Sequence, residues 1–214
     1  MKNKKLLTID LDNTLVITTK AHALAFKKAF AKRGIFLETK KIEKFIDGRS
    51  GEAVVKALFP FLDRRTIKEI VKDHNKFLKR TAIFIKTIKK ASKTLKFLRK
   101  NYRLVLVSNC SKEEIKLLLK KAKIPLKIFD FIISSENLRP KPWPDQLLKA
   151  KQLSNSKHII HIGDSVYDVK AAKKVKAISI AVLTGKAKRK ELKKYGADFI
   201  IKDITFLPKI LKNL

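Results

Sequence analysis

Asp10 and Asp12 stand two residues apart at the end of the apolar run Leu6-Leu7-Thr8-Ile9, with Thr14 two residues further on. Acids are scarce in this chain: 19 Asp and Glu face 52 Lys and Arg, a formal net charge of +33. A buried, unpaired carboxylate is costly, so two of them at a strand end call for a metal ion, a lysine partner or a shared proton. Three further segments supply such groups. Val107-Ser108-Asn109 puts a hydroxyl and an amide just after an apolar run. Arg139-Pro140-Lys141-Pro142-Trp143-Pro144 stiffens a loop around one lysine with three prolines. Ile162-Gly163-Asp164-Ser165-Val166-Tyr167-Asp168 sets two acids four apart where a strand turns into a helix. Carboxylates, a hydroxyl, a fixed ammonium and backbone N–H groups suit metal-assisted phosphoryl transfer. An oxygen-rich set of this kind favours Mg²⁺, and donors aimed at the transferring oxygens stabilise their charge.

These four segments need a scaffold that brings them together. Apolar runs at Lys5–Ile9, Leu104–Val107, Phe131–Ile133, His158–Ile162, Ile178–Val182 and Phe199–Ile201 read as strands. Ile88–Leu98, Lys112–Lys121, Asp145–Leu153, Asp168–Lys174 and Lys188–Tyr195 carry apolar residues at helical spacing. The alternation predicts an α/β fold, a doubly wound, Rossmann-like parallel sheet with right-handed crossovers, which binds ligands at the carboxyl ends of its strands. Residues 16–84 interrupt it: Ala21–Arg33, Lys40–Ile46, Glu52–Leu58 and Arg64–Leu78 read as helices, with no strand among them. The expected organisation is a catalytic core of residues 1–15 and 85–214 with an inserted helical cap of 16–84, standing over the end of the first strand.

Composition narrows the function classes. A hydrophobic content of 45% and a charged content of 33% suit a globular chain rather than a disordered one. No apolar run nears the roughly 20 residues of a membrane span. Lysines stand at Lys2, Lys4 and Lys5, but Asp10 and Asp12 break the apolar stretch that a signal peptide would need. The single cysteine, Cys110, suits a reducing cytoplasm. Basic residues are spread at nearly equal density through residues 16–81 and the remainder, and lysine far outnumbers arginine. The charge therefore reads as a general coat, without a dedicated nucleic-acid face. Loose polyanion binding at low salt is still expected, and self-repulsion favours a monomer.

All four segments, in this order and at these spacings, resemble the haloacid dehalogenase superfamily, in its phosphatase branch with a helical cap after the first motif. The resemblance, to phosphoglycolate phosphatases and to β-phosphoglucomutase relatives, spans nearly the whole chain. It implies Asp10 as the nucleophile that becomes an aspartyl-phosphate and Asp12 as the general acid/base. It implies Thr14, Ser108, Asn109 and Lys141 around the phosphoryl group, with Thr14 supporting the loop. It implies Mg²⁺ held by Asp10, the Asp12 backbone carbonyl and Asp164, with Asp168 as a further ligand or an acid behind them. The acid at position 12 speaks for phosphate chemistry, since the dehalogenase branch lacks it. Asn13 replaces a glycine often found there, a mild departure because asparagine tolerates unusual backbone angles. The implied activity is Mg²⁺-dependent hydrolysis of a small phosphorylated metabolite, phosphoglycolate-like or a sugar phosphate. A hexose phosphomutase is the alternative on the same core and cap, and a nucleic-acid-binding protein or end phosphatase is the alternative raised only by charge.

Other residues carry weaker signals. His22, where related sugar phosphomutases carry a histidine, reads first as a packing residue and second as a substrate contact. Arg49, in Asp47-Gly48-Arg49-Ser50, lies in the cap loop that selects substrate in relatives. Cys110 reads as a packed thiol, His74 as a surface residue, His158 and His161 as sheet-packed, and Trp143 as packing for the Lys141 loop.

Overall fold

A computed structural model describes residues 4–214 of the chain; Lys2, read above with the N-terminal lysines, and the first three residues of the expected 1–15 core segment lie outside it. The elements run β1 (Lys5–Ile9), β2 (Val16–Ile17), α1 (Thr19–Ala31), α2 (Thr39–Ile46), α3 (Gly51–Leu58), α4 (Arg64–Thr81), β3 (Lys86–Thr87) and α5 (Ala91–Leu98). They continue β4 (Tyr102–Val107), α6 (Lys112–Lys121), β5 (Phe131–Ile133), α7 (Asp145–Leu153), β6 (Ile159–Gly163), α8 (Val166–Lys174), β7 (Ile178–Val182), α9 (Arg189–Lys194), β8 (Phe199–Ile201) and α10 (Leu207–Leu211).

Six strands form one parallel sheet in the order β5-β4-β1-β6-β7-β8. Its strands are apolar because both faces are covered: Leu7 and Ile9 of β1 enter one core cluster, while Leu6 enters another. β1 lies between β4 and β6, and the order reverses there, at the topological switch point where such sheets bind ligands. Asp10 is the first residue past β1, Ser108 the first past β4, and Asp164 the first past β6, so one edge gathers all three.

Helices α1–α4 build their own apolar cluster from Phe26, Phe30, Ile42, Val54, Val55, Ile67 and Ile70. The chain enters this helical unit and leaves it through an antiparallel pair, Val16 opposite Thr87 and Ile17 opposite Lys86. That pair corrects the expectation of a strand-free segment; two residues are too short to show alternation in a sequence. β6 starts at Ile159, leaving His158 exposed rather than sheet-packed. α10 had no counterpart in the sequence reading, its five residues being too few for a helical period. No helix among the described residues is long and apolar enough to cross a membrane.

Candidate active site

Lys141 is the hub of the sheet edge. Its ammonium donates to Asp10 Oδ1 at 2.6 Å, to Asp168 Oδ1 at 2.6 Å and to the Val107 carbonyl at 3.2 Å. It is 3% exposed. Burial alone would drive such a group neutral, but the two carboxylates outweigh burial and hold it protonated. The backbone that aims it is clamped by Asn109: Oδ1 accepts from the Lys141 N–H at 2.8 Å, and Nδ2 donates to the Lys141 carbonyl at 3.0 Å. The same Nδ2 donates to the Gly48 carbonyl at 2.8 Å, fastening the loop between α2 and α3 to the sheet edge. Asn109, expected at a phosphate, thus spends its side chain on backbone. Trp143 is half exposed and packs between Arg139 and Lys174, whose charges lie 4.6 and 4.4 Å from its ring.

Three acids crowd this lysine. Asp10, Asp164 and Asp168 are all buried and offer oxygens within 4.8 Å of one another. Thr14 Oγ1 lies 3.2 Å from Asp10 Oδ2 and 3.1 Å from Asp164 Oδ1, linking the first and fourth segments. Burial pushes Asp10 up to about 7, against the pull of Lys141 and with help from the charges of Asp168 and Asp12. Burial, then Asp10 and Asp168, lift Asp164 as well. Asp168 goes the other way: Lys141 and His161 overcome its burial and keep it ionised. Its oxygens are fully engaged, Oδ1 by Lys141 and His161, Oδ2 by the Ser165 N–H and hydroxyl. Asp164 Oδ2, by contrast, is buried with no hydrogen-bond partner. Three acids against one ammonium, oxygen-only donors and one orphaned carboxylate oxygen suit a small hard divalent cation. Gly185 leaves room for the Asp164 carboxylate itself, which a Cβ there would overlap.

The loop after β1 turns sharply. Asn13 has a positive φ of 52°, and Asp12 bridges to Val16. The turn points the Asp12 side chain away from the acid cluster and toward the helical unit. There Oδ1 accepts from Thr18 Oγ1 at 2.5 Å and meets His22 Nε2 at 3.1 Å; Oδ2 accepts from Cys110 Sγ at 3.0 Å. These bonds outweigh burial and hold Asp12 below the usual carboxylate range. His22 Nδ1 is 3.0 Å from His74 Nε2, and His74 stacks on Phe26 with ring centroids 3.9 Å apart. His74, expected on the surface, is 1% exposed and held neutral by burial, its pKa drawn down to about 3. Its Nδ1 faces Asn75 at 2.8 Å and Glu114 at 3.7 Å. Turning the Asn75 amide lets it donate to both His74 Nδ1 and Glu114, which fits its neighbours better.

His22, read second as a substrate contact, lies against Asp12. His74, Glu114, Thr18 and His161 were not placed at the site by motif reasoning: Thr18 is only six residues from Asp12 but belongs to no motif, and the others come from elements far from the first segment. His161 carried the most visible signal, a lone polar residue in the apolar strand Ile-Ile-His-Ile-Gly; it bridges Thr8 at 2.9 Å and Asp168 at 3.1 Å. Arg49 lies over the Tyr167 ring at 5.3 Å and lines the cavity shared with Asp10, Asp12 and His22. Ser108 is 1% exposed, and its hydroxyl accepts from the Cys110 N–H at 3.1 Å.

A doubly wound parallel sheet with acids and one lysine gathered at its switch point defines an α/β enzyme of the hydrolase type. The chain belongs to the haloacid dehalogenase-like hydrolases, whose family model matches residues 8–182. Over 90 residues it is 36% identical to a Caldanaerobacter subterraneus protein that carries the name pyrophosphatase PpaX; this stretch spans 41% of each chain. Its fold matches that of a hydrolase from Pseudomonas syringae, with a TM-score of 0.87, 23% identity and 99% of both chains covered. It also matches a predicted phosphoglycolate phosphatase from Haemophilus somnus, with a TM-score of 0.83, 20% identity and 99% of both chains covered.

Proposed function

We propose that this hydrolase is a Mg²⁺-dependent phosphatase of small phosphomonoesters that works through an aspartyl-phosphate on Asp10. The observation that carries the reading is the Asp10 carboxylate, buried, fixed by Lys141 and Thr14, and lying beside the unpartnered oxygen of Asp164. Asp10, the Asp12 carbonyl and Asp164 would hold Mg²⁺, which supplies charge neutralisation between the phosphate and the attacking carboxylate. Asp168 stands behind them and fixes Lys141.

One carboxylate oxygen of Asp10 attacks phosphorus, and the bond to the leaving oxygen breaks. Lys141 and the Ser108 hydroxyl stabilise charge on the transferring oxygens. The proton shared by Asp12 and His22 passes through Asp12 to the departing alkoxide, and Asp12 then takes one from the water that attacks the aspartyl-phosphate. Helices α1–α4 act as the cap over this edge, and Asn109, through Gly48, is one of the contacts that seat it. His22 and Arg49 face the same cavity and would meet the remainder of the substrate. The lysine coat would draw anionic substrates to it.

The test is phosphate release across a panel of phosphorylated metabolites with Mg²⁺ and an EDTA control. The panel includes phosphoglycolate, hexose phosphates and, because of the name of the Caldanaerobacter relative, inorganic pyrophosphate. Hydrolysis of a small phosphomonoester that stops with EDTA is expected. Conversion of a hexose 1-phosphate to the 6-phosphate without phosphate release would replace the reading with a phosphomutase.

A further inference from the structure

The side of the β1 loop that carries the Asp12 carboxylate gathers donors of a different chemistry from those around Asp10. Asp12, His22 and Cys110 come from three separate elements, and each turns one donor atom toward the others within 4.8 Å. His22 Nε2 is 3.1 Å from Asp12 Oδ1, and Cys110 Sγ is 3.0 Å from Asp12 Oδ2. A tetrahedral ion with bonds of about 2.0–2.3 Å separates its ligands by roughly 3.3–3.7 Å. The pairs already in contact need open by only a few tenths of an ångström. All three residues line one cavity, which leaves a fourth position for water or a phosphate oxygen.

The far nitrogen of His22 also has a fixed partner. Its Nδ1 lies 3.0 Å from His74 Nε2, and His74 is wedged against Phe26 and held from behind by Asn75 and Glu114. A histidine ligand commonly has its second nitrogen fixed by such a partner. Ligation at Nε2 requires the Nδ1–H tautomer of His22, which donates to His74 Nε2 and leaves His74 Nδ1–H for the Asn75 oxygen, so the pair changes tautomer as the ion binds.

We propose that Asp12, His22 and Cys110 form a second cation site, selective for a borderline-soft divalent ion of the Zn²⁺ and Co²⁺ class. One nitrogen, one sulfur and one carboxylate suit these ions and disfavour Mg²⁺, which keeps to oxygen. On binding, the sulfur–metal bond forms as the Cys110 thiol releases its proton to solvent, with no change of oxidation state. The site is separate from the oxygen cluster of Asp10 and Asp164, so both ions can be present together. Because the soft ion ties down the Asp12 carboxylate, it would inhibit hydrolysis; this consequence alone rests on the role assigned to Asp12 above.

The experiment titrates Co²⁺ into the full chain with Mg²⁺ in excess and follows thiolate-to-cobalt charge-transfer absorption. A band that saturates at one Co²⁺ per chain, is discharged by Zn²⁺, and weakens in folded His22→Asn is expected. No band in the wild type, or an undiminished one in His22→Asn, overturns the site. In parallel, Zn²⁺ should inhibit the wild type at about tenfold lower concentration than Cys110→Ser or Cys110→Ala, each measured against its own Mg²⁺-supported rate. Equal inhibition would overturn the inhibitory role. Were the chain inactive on every phosphate ester, the absorption measurement would still decide the site, so the two readings fail separately.

Discussion

Asp10 and Asp12 share one loop, two residues apart, yet their surroundings oppose each other. Asp10 faces Asp164 and Asp168 across a single lysine, and its proton is held up to about 7. Asp12 faces a histidine, a hydroxyl and a thiol, all able to donate, and its proton is released more readily than usual. The acid cluster belongs to the sheet edge; the donors around Asp12 come from the helical unit and the loop after β4. Spacing in sequence does not set a carboxylate's duty: the turn at Asn13 deals the two side chains to different neighbours. The acid side is short of positive charge and calls for a hard cation, whereas the metal-free Asp12 carboxylate is satisfied by hydrogen bonds, two of them from the nitrogen and sulfur proposed to take a softer ion.

The sharpest way to break this contrast is Asp10→Asn. Turnover should fall at least ~1,000-fold in a preparation that keeps its circular dichroism spectrum and melting temperature, because the proposed nucleophile is lost and a crowded charge removed. Retention of more than a few per cent of the rate, in a preparation free of wild type, would end the distinction between the two acids. Next is Lys141→Met, which leaves Asp10 and Asp168 buried without their counter-charge. Urea unfolding should show a loss of about 3–5 kcal/mol, partly recovered by Mg²⁺. An unchanged midpoint would mean that the acids simply take up protons.

The pH dependence sharpens the same point. Asp10 binds its proton more tightly folded, at about 7, than at its ordinary 3.8, and Asp164 shifts in the same direction. Stability from this source is complete below about pH 4 and is lost as pH rises through 7. In the metal-free protein the melting temperature should therefore fall between pH 5 and pH 8. Mg²⁺, binding the ionised acids, should raise it more at pH 8 than at pH 5; a larger rise at pH 5 would contradict the assignment. The smallest expected effect lies on the Asp12 side. His74→Phe keeps the stack on Phe26 but unties His22 Nδ1, and kcat should drop about tenfold with KM within about twofold. Partial recovery in His74→Gln would mark lost positioning, while an unchanged kcat would show that Asp12 is aimed without the histidine pair.

The sheet was legible because parallel strands buried on both faces leave uninterrupted apolar runs, and β1, β5, β7 and β8 fall at the expected residues. The first and fourth strand-end segments were legible because acids are conspicuous in so basic a chain. The second and third were legible because a hydroxyl and amide follow an apolar run and three prolines stiffen the loop around Lys141. The short pair β2 and β3 was not, since two residues carry no period, and neither was α10. His74 was misread because a histidine between Asp73 and Asn75 on a polar helix looks solvated; only packing against Phe26 and His22 shows it inside.

The sequence by itself determined the strand order of chemistry: Asp10, Ser108, Lys141 and Asp164 each follow an apolar run, and a parallel sheet then has one edge on which to gather them. It also determined that this edge is short of neutralising charge. The tertiary structure alone decided which acid keeps its proton and which gives it up, and that Asp168 is spent on Lys141 and Ser165 while Asp164 is left with an open oxygen. The physical reason is that a carboxylate's proton affinity depends on burial and on atoms a few ångströms away. Those atoms, in His22, Cys110 and Lys141, arrive from positions up to 131 residues distant along the chain.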